Sequence, residues 1–190
     1  MLTSSASAGL LHKGMLTSLL LSLAMTAPPT TTAATPAVTT APTPAPTPFA
    51  PVDDKTYSAL VQHAHKGKLL VVNFWASYCQ PCLTEIPDLQ ALALKYKDRV
   101  DVVFVSTDEP AGAMHAQSVL ARRKLIVPSF IVSNADPRPF ITLIDDKWQG
   151  EMPTTVIYGP DGQKQQLLIA QHSSAEFESV IVAALAKVKP

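Results

Sequence analysis

The sequence predicts an α/β fold, a central mixed β-sheet flanked by helices, and three observations carry that expectation. Leu69-Leu-Val-Val-Asn-Phe-Trp75 is a near-continuous apolar run rich in β-branched residues, the pattern of a strand buried on both faces of a parallel sheet. Residues 154–158 and 165–170 flank Gly159-Pro-Asp-Gly162, whose Pro and Gly suit a tight reversal, so this region reads as an antiparallel hairpin. The stretches between alternate strand and helix patterns, giving parallel units, then the hairpin, then a closing helix.

The elements follow in chain order. Met15-Leu-Thr-Ser-Leu-Leu-Leu-Ser-Leu-Ala-Met-Thr-Ala27, preceded by His12-Lys13, has a weakly positive start, an apolar stretch and small residues at its end. That pattern predicts a secretory signal peptide over residues 1–27, with cleavage near Ala27 or Ala34. It falls short of the roughly 20 apolar residues a spanning helix needs. Residues 28–51 hold eight Pro, eight Thr and six Ala in 24 positions. Such a segment has almost nothing to bury and predicts an extended, disordered spacer. The folded domain is expected over residues 52–190. Within it, residues 55–65 carry Tyr57, Leu60 and Val61 on a helical pattern that Gly67 stops. A helix beginning near Gln80-Pro81 and running to Tyr96 has Leu83, Ile86, Leu89, Leu92 and Leu94 at helical spacing. Pro87 inside it predicts a kink rather than an end. A second strand is expected over residues 100–106 and a second helix over 111–123. Ser173-Ser-Ala-Glu176 is a capping box, with Phe177, Val180, Ile181, Ala184 and Leu185 forming one apolar face behind it. Residues 125–150 resist assignment, because Pro128, Pro137 and Pro139 break their short apolar runs.

Charge excludes some functions. The chain has 15 Lys+Arg against 15 Asp+Glu, a balance that offers no electrostatic footprint for nucleic acid or an anionic membrane. The chemistry lies in Phe74-Trp-Ala-Ser-Tyr-Cys-Gln-Pro-Cys-Leu-Thr-Glu85, which holds both cysteines, Cys79 and Cys82. The strand ends at Trp75 and the helix starts just after Cys79, with Pro81 in the first turn where its missing N–H costs nothing. Cys79 is therefore expected at a helix N-terminus, where free N–H groups and the helix dipole favour a thiolate. Cys82, one turn deeper, would resolve a mixed disulfide formed at Cys79. Two blander readings compete. A structural zinc site needs further ligands, for which only His12, His63, His65, His115 and His172 are available. An inert disulfide closing so small a loop would remove little unfolded-chain entropy. The redox reading outweighs both.

The segment from Asn73 to Pro87 resembles the active-site segment of the TlpA/ResA-like thiol–disulfide oxidoreductases, exported members of the thioredoxin superfamily. Their pattern is N-F-W-A-x-W-C-x-P-C-x-x-E-x-P. Gly150-Glu-Met-Pro-Thr-Thr-Val-Ile-Tyr158 is similar to the family's G-x-P-T-T segment. The resemblance covers roughly residues 55–187 and implies a thioredoxin-like fold, with Cys79 and Cys82 as a redox-active disulfide and Glu85 as a partly buried proton partner of Cys82. It further implies a cis peptide at Pro153 facing the disulfide, with the Met152 backbone pairing with a substrate strand. Trp75, Tyr78 and Pro81 would flank the substrate. No metal and no small-molecule cofactor are expected. The implied partners are protein disulfides and a membrane thiol reductant, in the periplasm or another exported location, with membrane tethering if the N-terminal segment is not cleaved. The implied work is reduction of protein disulfides, in cytochrome c maturation or metal-centre assembly.

Four departures stand out. Tyr78 replaces the usual tryptophan, Leu83 stands where a basic residue is common, Met152 is a bulkier flank for the proline than is common, and Ser133 to Gly150 is longer than the simplest family layout. Trp148 in that stretch is a candidate for the substrate groove or for core packing. The competing function is a metal-binding or metallochaperone module using the same thiols with His63 or His65. A thiol peroxidase would need a Thr/Arg environment around its cysteine, and no matching motif is visible.

Overall fold

A computed structural model describes residues 49–63 and 67–188. The expected signal peptide, most of the expected spacer, the His63 side chain and His65 lie outside what it describes. The strands are β1 (Ala50–Val52), β2 (Leu69–Trp75), β3 (Val100–Ser106), β4 (Ser129–Val132), β5 (Thr154–Tyr158) and β6 (Lys164–Ile169). The helices are α1 (Asp54–His63), α2 (Gln80–Lys95), α3 (Ala113–Arg122), α4 (Arg138–Ile144) and α5 (Ser174–Leu185). One 3-10 turn, Pro110–Gly112, precedes α3.

The strands form one sheet in the order β1-β4-β3-β2-β5-β6. β1, β4, β3 and β2 run parallel, whereas β5 is antiparallel to β2 and to β6. This is the expected mixed sheet, with β2 at its centre and buried along its whole length. Side chains alternate across a strand, so β2 feeds two cores. Leu69, Val71 and Trp75 point to the side packed by α2, α3 and α5, with Ile86, Leu89, Val119, Phe177 and Ile181. Leu70, Val72 and Phe74 point to the side packed by α1 and α4, with Tyr57, Phe140 and Ile144.

Local signals act as expected at several ends. Gly67, two residues before β2, has φ of +89°, a conformation that glycine adopts at little cost, whereas residues 64–66 between it and the end of α1 lie outside the described residues. α2 continues through Pro87 to Lys95. α5 opens on a complete capping box between Ser173 and Glu176. One expectation is corrected. Ala50 and Pro51 belong to β1, not to the spacer, and Phe49 packs on the core with its ring 6.5 Å from that of Trp75. Proline is tolerated there because β1 is an edge strand, where one missing N–H breaks no interior ladder. Residues 125–150 hold β4 and α4, both too short for their periodicity to stand out among the prolines.

Candidate active site

The parallel strands β2 and β3 end at the same edge of the sheet, and the loop after β2 carries the cysteines there. Cys79 N–H donates to the Ala76 carbonyl at 3.1 Å, a turn that delivers Cys79 to the N-cap of α2. Its sulfur accepts the Cys82 N–H at 3.3 Å, and Pro81 occupies the first turn. Cys79 and Cys82 are joined as a disulfide with Cα atoms 5.3 Å apart. The two cysteines differ in access: Cys79 is 9% exposed and Cys82 0%. An incoming group therefore meets Cys79, at a helix N-terminus that favours negative charge.

Beneath the pair lies a buried polar cluster. Glu85, on the first turns of α2, is 1% exposed. Its Oε1 accepts from Asn73 Nδ2 at 2.7 Å, and its Oε2 accepts the His172 N–H at 3.2 Å. Asn73 Nδ2 also donates to Thr155 Oγ1 at 3.0 Å. Burial pushes the Glu85 carboxyl above its ordinary range, against the opposing pull of the His172 N–H and Asn73 bonds. A carboxyl in that condition can hold or release a proton nearer neutral pH than a surface glutamate.

The second wall comes from the other end of the domain. The Met152–Pro153 peptide bond is cis. β5 begins at Thr154, which pairs with Phe74, so Pro153 stands beside Trp75 and the start of the cysteine loop. Gly150, with φ of +91°, turns the chain into this segment. Met152 is half-buried against the core that includes both cysteines. Next to it a groove of about 200 Å³ is lined by Tyr78, Thr107, Val132, Phe140, Ile141 and Trp148, among others.

The candidate residues thus converge from β2, α2 and the segment before β5. Trp75 is completely buried, so it packs under the site rather than lining the groove, and its Nε1 has no partner among the described residues. Tyr78 is 73% exposed, and Pro81 is exposed as well. Trp148 is buried with its ring 4.8 Å from that of Phe74, so its core packing and its edge on the groove coexist. Asn73, Thr155, Thr107 and Asp108 were not singled out by sequence reasoning. Asn73 sits on an apolar strand, a burial that itself calls for a hydrogen-bonding partner. Among the described residues, no group of three or more His, Cys, Asp or Glu side chains is disposed to hold a metal ion. No described helix is long and apolar enough to cross a membrane.

Comparison with known proteins agrees with this geometry. The thiol-disulfide oxidoreductase ResA of Halalkalibacterium halodurans is 26% identical over 126 residues, which is 66% of this chain and 65% of that protein. ResA of Oceanobacillus iheyensis is 29% identical over 104 residues, 54% of this chain and 50% of that protein. The chain thus spans less than two thirds of the length of each of these relatives. The crystal structure of a secreted Mycobacterium tuberculosis disulfide oxidoreductase homologous to E. coli DsbE superposes with a TM-score of 0.50 at 27% identity, covering 66% of this chain and 85% of that one. The fold is thioredoxin-like. Residues 43–165 match the AhpC/TSA family model, and the chain belongs to the AhpC/TSA family.

Proposed function

We propose that the protein is an exported thiol–disulfide oxidoreductase that reduces protein disulfides by exchange at Cys79 and Cys82. The observation that carries this reading is the unequal exposure of the pair at the α2 N-terminus, opposite the cis Met152–Pro153 segment. The ResA names of the relatives support the activity, and the secreted Mycobacterium tuberculosis homologue supports export.

In the reduced protein the Cys79 thiolate attacks one sulfur of a substrate disulfide, forming a mixed disulfide and expelling the other substrate sulfur as a thiolate. Cys82 then loses its proton and attacks Cys79, which releases the first substrate sulfur and leaves the Cys79–Cys82 bridge. Two electrons pass to the substrate. A membrane thiol reductant restores the dithiol. Glu85 accepts the Cys82 proton in the resolving step and returns it on reduction. The Met152 backbone offers an edge on which an extended substrate segment can pair, and Tyr78 and the groove beside it take a substrate side chain. The reducing direction rests on resemblance to the family, as do substrates tied to cytochrome c maturation or metal-centre assembly.

The test is a redox titration of the pair alongside trapping with Cys82→Ser. The expected results are a potential in the reducing range and covalent capture of exported proteins through Cys79. A potential near that of a dedicated oxidant, about −120 mV, would overturn the assignment as a reductant.

A further inference from the structure

Asp108, in the turn after β3, is 5% exposed and takes no part in the exchange steps above. Its Oδ2 accepts the Ser77 N–H at 2.9 Å and the Ser106 hydroxyl at 2.6 Å, and its Oδ1 accepts the Ser77 hydroxyl at 2.6 Å. Its own N–H donates to Ser106 Oγ at 3.1 Å, which fixes the turn itself. A buried carboxylate is costly unless its oxygens are satisfied, and here three donors do that. Two of the three belong to Ser77, two residues before Cys79. The neighbouring Thr107 ties the same turn to the rest of the site. Its N–H donates to the Trp75 carbonyl at 2.8 Å, and its hydroxyl lies 2.8 Å from Met152 Sδ. The three residues Ser106, Thr107 and Asp108 therefore join the end of β2, the cysteine loop and the residue before the cis proline.

We propose that Asp108 is the positioning residue for Cys79, clamping Ser77 so that the Cys79 sulfur stays over the Cys82 N–H when the disulfide is open. In the oxidised protein the bridge to Cys82 holds Cys79 by a covalent bond. In the reduced protein that bond is gone, and the path of the loop is set by the Ala76 turn and by Asp108. A wandering Cys79 leaves the N-cap and loses the N–H groups that stabilise its thiolate, so its pKa rises and it reacts more slowly. The chemical role of Cys79 rests on the function proposed above, but its positioning can be read without any protein substrate.

The experiment measures the pH dependence of Cys79 alkylation by iodoacetamide in a Cys82→Ser background, with circular dichroism confirming the fold. Asp108→Ala is expected to raise the Cys79 pKa and to slow alkylation at pH 7 about tenfold. Asp108→Asn, which keeps an acceptor for the Ser77 N–H, is expected to restore most of the rate. Ser77→Ala, which removes one bond and leaves the carboxylate, shifts the profile in the same direction by about twofold to threefold. An unchanged profile in a folded Asp108→Ala variant overturns the proposal. So does a lowered pKa, which would make Asp108 a repelling charge rather than a clamp. Failure of disulfide reductase activity in the parent protein, with the alkylation shifts intact, would sink the proposed function and leave the positioning role standing.

Discussion

The two faces of the sheet are built from alternate residues of the same strand and differ in what they bury. On the α1 and α4 side, Phe74 meets Tyr57, Phe140 and Trp148 with ring centroids 4.8 to 6.3 Å apart. The two tyrosine hydroxyls within this aromatic cluster are paired with each other, Tyr57 and Tyr158 lying 2.8 Å apart. On the α2 and α5 side, the next residue back, Asn73, carries its amide into the core beneath the cysteines. There Glu85 is buried, and Asn73 Oδ1 and Trp75 Nε1 have no partner among the described residues. Buried polar groups left short of partners cost stability, so they persist where they serve another purpose. The aromatic face supplies cohesion, and the cysteine face spends some of it on a poised carboxyl.

This contrast can be broken in three ways, taken from the largest effect down. Phe74→Ala should cost about 3–5 kcal/mol in stability by urea denaturation, because it opens a cavity among fixed rings. The midpoint potential of the cysteine pair should stay where it is; a shifted potential would show that the faces are not separable. Glu85→Gln should slow resolution of the Cys79 mixed disulfide about 100-fold, equivalent to about 2.7 kcal/mol in barrier, as measured in single-turnover assays. It should also change the pH dependence of stability. The folded Glu85 pKa is raised from an ordinary value of 4.5, so its contribution is fully present below that pH and is lost as pH rises through the folded value. Wild-type stability should therefore fall relative to Glu85→Gln over that window, and parallel curves would count against a buried, proton-holding carboxyl. Tyr57→Phe should cost only about 1 kcal/mol, since it leaves one hydroxyl unpaired. Burial raises the Tyr158 pKa to about 12 and holds the Tyr57 hydroxyl well above its ordinary 10.0. Their contribution is present below about pH 10 and is lost as pH climbs through the folded values, so the variant should lose less stability than wild type in alkaline solution. Equal alkaline losses would remove the tyrosine pair from the account.

What the sequence revealed is what local pattern can encode. The buried strand, the N-cap position of Cys79, the hairpin turn and the capping box of α5 each occupy a few contiguous residues with a distinct physical signature. The cis bond at Pro153 needed the family pattern, because nothing in Met152-Pro153 alone separates cis from trans. Asp108 was hidden for a different reason. Ser-Thr-Asp after a strand looks like any polar turn, and its meaning lies in a bond to Ser77, 31 residues earlier in the chain. β1 was hidden because Ala50-Pro-Val continues the composition of the spacer, and only β4, itself obscured by prolines, gives it a partner.

The central position of β2 has a consequence for how the domain breathes. Its amides lie between β3 and β5 and are sealed on both faces, so no local fraying can reach them. In hydrogen exchange they should be among the slowest, released only when the whole domain opens. β1, three residues long at the sheet's edge, should exchange early. The cysteines thus hang from the segment expected to let go last, so opening of the Cys79–Cys82 bridge should leave that foundation in place.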